Sequence, residues 1–368
     1  MLLQTGPTLN ITQCLTPKVE AERLGHSMQS TTIKLGTGTL EFESSPSFSH
    51  QTLFSVAERI NPKRSFLFVS RVLGRHIPVR PRDHLAAVTE LVDQIPLGHL
   101  AGPMLVLGFA ETAVGLGAAV ARKIGQRSPE SELLYVSTTR HPVPGQEWLE
   151  FSEEHSHSTS HYVMPLSSLD FQARETVTLV LVDDEMTTGN TFAALIGALR
   201  DGGLSIGRVL LLTLTDWSNG EGRRVASICL SDIQVEDFAL MRGRWKWTRD
   251  ASTTLPDLPV WPSSTLSLPL WKPDYINSPL VRAPRLGLKM GDDVSIAQLA
   301  DQLGSSLMAE RILVVGTGEH VWGPMLLAER LEQAGADVCL VATTRSPIHQ
   351  GEVIRHKLTF PDHFGLGV

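Results

Sequence analysis

The stretch VLVDDEMTTGNT, Val180 to Thr191, joins a greasy run to a helix through two carboxylates and a hydroxyl-rich loop. Thr178 to Val182 is apolar, β-branched and of strand length, which suits a strand buried on both faces of a parallel sheet. Phe192, Leu195, Ile196 and Leu199 then recur at i, i+3, i+4 and i+7, predicting a helix from near Asn190 until Gly202 and Gly203 stop it. In open α/β sheets ligands bind at the carboxyl edge of the strands. There the first amides of the next helix are unpaired donors at the positive end of its dipole. Thr187, Thr188, Gly189, Asn190 and Thr191 would offer hydroxyls and a flexible backbone to a phosphate. Asp183 and Asp184 would repel a phosphate and need hydroxyls or a cation as partners. A sugar phosphate satisfies both halves, its diol on the aspartates and its phosphate on the loop. Taken alone, the acidic pair reads as an Asp-Asp turn with a threonine cap that needs no ligand.

Working outward, strands are predicted at Ser65–Val69, Met104–Leu107, Leu133–Val136, Thr178–Val182 and Val209–Leu214, with helices at Asp83–Ile95 and Ala113–Ile124. Strands alternating with helices define an α/β fold with a parallel sheet flanked by helices. Residues 1–45 read as a partly ordered N-terminal arm and 46–245 as the principal domain. Residues 246–285 form a linker, with Pro256, Pro259, Pro262, Pro269, Pro273, Pro279 and Pro284. Trp245, Trp247, Trp261 and Trp271 suit packing on the domains rather than a free tether. Residues 286–368 form a smaller α/β domain.

With 368 residues, two domains are expected. A net charge of -7 argues against a general nucleic-acid binder, so a ligand phosphate must be met locally. Cys14, Cys229 and Cys339 show no metal-ligand spacing, which points to a reduced, cytoplasmic setting. No apolar span reaches membrane length, and a soluble protein is expected.

The chain contains a repeat. MLVLGFAETAVGLGAAVAR, Met104 to Arg122, aligns without gaps on ILVVGTGEHVWGPMLLAER, Ile312 to Arg330, keeping Gly108/Gly316, Glu111/Glu319 and Gly115/Gly323. STTRHP, Ser137 to Pro142, likewise matches ATTRSP, Ala342 to Pro347, so the C-terminal domain partly repeats the βαβ unit of residues 104–155. In the first copy Phe109, Ala110, Glu111 and Thr112 form a turn whose amides could bind a second anion. Glu111 is either a carboxylate that a cation must neutralise there or a favourable charge at a helix N-terminus. The polar segment Ser137–His161 has the length of a lid. Arg140 is fixed just past a strand, and His155, His157 and His161 could hold a metal, hydrogen-bond phosphate or protonate a leaving group. Lys63, Arg64 and Arg75 lie in a basic segment that reads as a charged surface or as the edge of an acceptor pocket.

Together, NPKR (61–64), FLFVSRVLGRHIPV (66–79), GFAETAVGLG (108–117), STTRHP, EEHSH (153–157) and VLVDDEMTTGNT resemble the orotate-like type I phosphoribosyltransferases of the tellurium-resistance and stress-operon branch. TTRSP, Thr343 to Pro347, resembles the TRSP domain that accompanies that branch. The resemblance implies a Mg²⁺-dependent enzyme that uses phosphoribosyl diphosphate (PRPP), forms a nucleotide or nucleoside-like compound and releases diphosphate. Asp183 and Asp184 would hold the ribose hydroxyls and, through them or water, Mg²⁺. The 187–191 loop would hold the 5-phosphate and the 109–112 turn the diphosphate, with Arg140, His155 and His157 as the catalytic residues. A small-molecule acceptor, a homodimer and association with enzymes of the same operon are expected, with neither nucleic acid nor membrane as partner. The alternative is a PRPP-sensing regulator or docking protein without turnover, in which Glu319, His320 and Arg345 would line a site in the second domain.

Overall fold

The computed structural model describes residues 28–45, 48–61, 64–152, 160–168, 176–228, 230, 232–253, 283–289, 298, 300, 301, 303, 311–344, 346 and 348–359. Strands β1 (Gln29–Leu35) and β2 (Gly38–Ser44) form one hairpin, and β3 (Phe54–Glu58) and β4 (Phe66–Ser70) another. Helix α1 (Pro81–Asp93) leads to β5 (Met104–Gly108), α2 (Val114–Arg127) and β6 (Leu133–Ser137). A small antiparallel pair, β7 (Leu149–Phe151) and β8 (His161–Val163), precedes β9 (Val177–Met186), α3 (Asn190–Asp201) and β10 (Ile206–Asp216). Then come α4 (Glu221–Ser227), β11 (Gln234–Arg249), the short β12 (Leu288–Lys289) and a C-terminal β13 (Arg311–Gly316), α5 (Trp322–Gln333) and β14 (Asp337–Ala342).

The main sheet runs β1-β2-β11-β10-β9-β5-β6-β12, and the five strands from β11 to β6 are mutually parallel. Numbered along the chain, these five stand in the order 2-1-3-4-5, whose direction reverses between the first and third, β5 and β9. The reversal leaves a crevice at the carboxyl ends of β5 and β9, where Gly108 and Val182 face each other in register.

Each central strand is buried on both faces. Met104 and Val106 join one core layer with α1 and α2, while Leu105 and Leu107 join a second with Phe192, Leu195, Ile196 and Leu199 of α3. Those four α3 side chains are at most 2% exposed and contribute about 1.5–3 kcal/mol each by burial.

Two expectations are corrected. Residues 28–45 are no loose arm: Ile33 and Leu35, Leu40 and Phe42 alternate as strands do, and β2 pairs antiparallel with the Gly243–Arg249 half of β11. Phe42 is 2% exposed against Phe54, Phe68 and Trp217, so the hairpin closes the core. The linker expected from residue 246 starts later, because β11 runs to Arg249; Trp245 and Trp247 pack their rings against Phe66, as expected of them. Of the linker itself, residues 254–282 lie outside the described residues.

The C-terminal unit is a parallel βαβ, but it does not stand apart. Trp322, Met325, Leu326 and Leu331 of α5 enter the same core layer as α1 and α2. On the side of β14, Val79 and Leu340 exchange backbone hydrogen bonds of 2.9 and 2.8 Å, and the Ala342 amide donates to the Gly74 carbonyl at 2.7 Å.

Candidate active site

The crevice brings the acidic pair and two loops together. Asp183 and Asp184 stand on the last turn of pleat in β9, between β5 and β10. The chain then passes Thr187 and Thr188, both exposed, to Gly189, which takes φ +81° just before α3. A Cβ there would lie 2.7 Å from the Gly222 Cα and closer still to its carbonyl oxygen, so only glycine lets this loop rest on the Ser218–Gly222 turn. The Asn190 amide donates to Thr188 Oγ1 at 3.3 Å. Among the described residues, the amides of Thr187, Thr188 and Gly189 donate to no backbone or side-chain acceptor. A helix N-terminus with unused donors and two hydroxyls is built to take an anion.

The acidic side resists ionisation. Burial, reinforced by the neighbouring Asp184, holds the Asp183 carboxyl well above the usual carboxylate range. Burial raises Asp184 as well, opposed by its hydrogen bonding with Asp183 and by the charges of Arg64 and Arg75. Glu185 is raised by burial, with Arg64 drawing it back. A hydroxyl donor or a cation at this pair therefore relieves an existing cost.

On the other side of the crevice, β5 ends in the 109–113 turn. The Phe109 amide donates to Val182 O at 3.0 Å, which ties this turn to β9. The Ala110 amide donates to Thr138 Oγ1 at 2.8 Å, and the Thr138 amide to Gly108 O at 3.0 Å. The amides of Glu111 and Thr112 donate to nothing among the described residues and remain for a ligand. Gly108 and Gly117 admit the Tyr135 ring, whose hydroxyl donates to Val114 O at 2.5 Å; a Cβ at Gly108 would meet that hydroxyl at 2.6 Å.

The charge that made Glu111 anomalous is answered by Arg75, which forms an ion pair with it. Arg75 is 4% exposed and also donates through Nη1 to Gly318 O at 2.5 Å. It thus joins the 109–113 turn to the second domain. Arg64 is committed too: its Nη2 donates to both Glu185 oxygens at 3.0 and 3.2 Å, and its guanidinium lies 4.7 Å from the Phe66 ring centroid. Lys63, His155, His157 and Arg345 lie outside the described residues.

Past β6, the two ends of the described part of the Ser137–His161 segment meet. Thr139 and Tyr162 exchange backbone hydrogen bonds of 2.8 and 3.0 Å, and β7 and β8 give part of the segment strand structure. His161 stacks on Phe151 at 5.1 Å and meets Phe109 edge-on at 6.2 Å. Burial, aided by the Arg140 charge, lowers its pKa to about 4, so it is neutral at pH 7.

Glu319, expected to line a site in the second domain, reaches into the first copy. Glu319 of the second copy is buried, accepting from Thr139 Oγ1 at 2.5 Å and from the Arg140 amide at 2.7 Å. Burial raises its pKa, opposed by those two donors. His320 is lowered by burial and by Arg285. The signal available in the sequence was the repeated TTR: Thr138 and Thr343 do the same work, since the Gly318 amide donates to Thr343 Oγ1 at 2.9 Å.

The family model described as phosphoribosyl transferase matches residues 53–244, and that of the TRSP domain C-terminal to this transferase matches 283–367. The chain belongs to this phosphoribosyl transferase family and is a transferase enzyme. Among solved structures it is similar to adenine phosphoribosyl transferase from Trypanosoma brucei, at 14% identity over 52% of this chain and 77% of that one, TM-score 0.37. It is similar also to adenine phosphoribosyltransferase from Rhodothermus marinus (15%, 51% and 94%, TM-score 0.37) and orotate phosphoribosyltransferase from Aeropyrum pernix (19%, 50% and 86%, TM-score 0.29). No curated protein sequence matches the chain.

Proposed function

We propose that the protein transfers the phosphoribosyl group of PRPP to a nitrogen base or heterocycle and releases diphosphate. The carrying observation is the meeting, at one sheet edge, of a carboxylate pair that gains from a diol and two turns with unused amides. In this reading Asp183 and Asp184 accept hydrogen bonds from the ribose 2- and 3-hydroxyls. The 187–191 loop takes the 5-phosphate, and the Glu111 and Thr112 amides with Arg140 take the diphosphate. The acceptor nitrogen forms a bond to C1 as the C1–O bond to diphosphate breaks, with inversion. Charge builds on the leaving group, so fixed donors at the 109–112 turn and alignment of the ribose do more than a strong base would. Closure of the lid over the site would keep water from hydrolysing PRPP.

The residues fit Mg²⁺ brought in by the substrate. Two adjacent carboxylates, Asp183 and Asp184, supply oxygen donors. When bound, Mg²⁺ would neutralise part of the diphosphate charge. A nucleoside-like product tied to stress or tellurium resistance, a homodimer and partner enzymes of one operon belong to the same proposal, supported by the accompanying TRSP domain. The test is PRPP-dependent release of diphosphate across a panel of purine, pyrimidine and other nitrogen heterocycles. A protein that binds PRPP tightly yet releases no diphosphate with any of them would be a sensor instead.

A further inference from the structure

The two copies of the repeat keep the same turn but use it differently. In each, the strand's final glycine accepts from the first threonine of TTR at 3.0 Å, and that threonine's hydroxyl accepts from the amide two residues past the glycine. The second threonine also repeats its duty, with Oγ1 accepting from the amide two positions on, His141 at 3.0 Å and Ser346 at 3.3 Å. The difference lies at the tip. The first turn leaves the Glu111 and Thr112 amides unused, whereas Thr317 and His320 of the second exchange backbone hydrogen bonds of 3.2 and 2.8 Å and close it on itself. Its glutamate points away from its own copy, into the first.

We infer that Glu319 is a positioning residue for the transferase site: the C-terminal unit serves as an in-chain brace that sets the stretch from Thr139 to His141, and with it Arg140. Three side chains carry this. Glu319 holds both the Thr139 hydroxyl and the Arg140 amide. Arg285, entering just before β12, lies 3.6 Å from Glu319 and donates to the His141 carbonyl at 3.3 Å. Arg75 anchors the brace from the other side, joining Gly318 O to Glu111 of the 109–113 turn. Thr139 with Arg140 and the diphosphate turn are thus fixed through one buried side chain each to the same four-residue tip. A carboxylate suits the task because it offers two acceptors to two donors that diverge from adjacent residues.

This inference rests on the PRPP reading, and it separates two parts of that ligand. Ribose 5-phosphate uses Asp183, Asp184 and the 187–191 loop, while diphosphate uses the side that Glu319 braces. The experiment is calorimetric titration of the full-length protein with Mg-PRPP, Mg-diphosphate and ribose 5-phosphate, for wild type, Glu319→Ala and Glu319→Gln. The glutamine keeps one acceptor for the Arg140 amide and a donor for Thr139 Oγ1, so it should rescue. Glu319→Ala should weaken PRPP and diphosphate about tenfold or more and leave ribose 5-phosphate unchanged. Thr139→Val deletes the same contact from the opposite partner with little change in volume, and should show the same selectivity even if the alanine variant folds poorly. Wild-type affinity for all three ligands in both Glu319→Ala and Thr139→Val would overturn the brace and leave the PRPP reading standing. Equal weakening of all three would overturn it as well, since that marks general destabilisation. Failure of wild type to bind PRPP would sink both.

Discussion

Replacing Asp183 and Asp184 together by asparagine should move two observables in opposite directions. Both carboxyls are raised by burial, Asp183 well above the usual range, so the fold favours their protonated forms. That stability is fully present below the unfolded value near 3.8 and is lost as pH rises through the raised folded values. At pH 7.5 the ligand-free double variant should therefore melt higher than wild type, and its advantage should vanish in acid. Binding should go the other way. A hydrogen bond to a charged acceptor is worth about 1.5–3 kcal/mol and a neutral one about 0.5–1.5, so two substitutions remove roughly 2–3 kcal/mol. That is about a hundredfold in Kd. With PRPP at a hundred times the wild-type Kd, wild type gains about 2.7 kcal/mol and the variant only about 0.4. For 368 residues, at about 2.1 cal/mol/K per residue, these correspond to melting shifts of roughly 3.5 and 0.5 °C. Differential scanning fluorimetry with and without Mg-PRPP reads both numbers. A variant that melts lower without ligand, or keeps the full shift with it, would refute the account of the pair.

Three other predictions follow from single contacts. Gly189→Ala forces a side chain into a left-handed residue that already touches Gly222. It should cost about 2–5 kcal/mol in urea unfolding, and an unchanged midpoint would show that the turn yields. Arg122 donates to Glu329 at 2.6 and 3.1 Å and lies 5.1 Å from the Trp322 ring centroid, joining α2 to α5. Arg122→Met should lose about 1.5–3 kcal/mol of global stability, with wild-type denaturation as the contrary result. His161 has a pKa of about 4 against 6.5 when unfolded, so its share of stability is present above pH 6.5 and lost as pH falls toward 4. His161→Phe, placed between Phe109 and Phe151, should flatten the acid limb of the stability curve; an identical limb would show that the ring is not protonated there.

Where a signal was local, the sequence was legible. The predicted helix near Asn190 is α3, and the apolar runs at 104, 133, 178 and 209 are β5, β6, β9 and β10. The strand read at Ser65–Val69 is β4, but it pairs antiparallel with β3 in a separate two-stranded sheet. The 28–45 hairpin was overlooked because Ser, Thr and Gly masked an alternation of only four apolar side chains. At the site, the acidic pair and its loop carry their chemistry in adjacent letters. Arg75 and Glu111 are 36 positions apart, and Glu319 lies 180 from Thr139. Pairings of that span are set by how α5 and β14 dock, which no local pattern encodes. Lys63, Arg64 and Arg75 looked alike as charges; the fold buries Arg75 and stacks Arg64 on aromatic rings.

The shared core layer has a practical consequence for anyone who would divide the protein. Trp322, Met325 and Leu326 belong to the same packed interior as Leu91 and Leu116, and the backbone of residues 74–79 finds its partners on β14. A transferase cut off before residue 283 would present that apolar face and those unpaired amides to water, inviting self-association. The two family segments are separate in sequence, yet they share one interior and should unfold together.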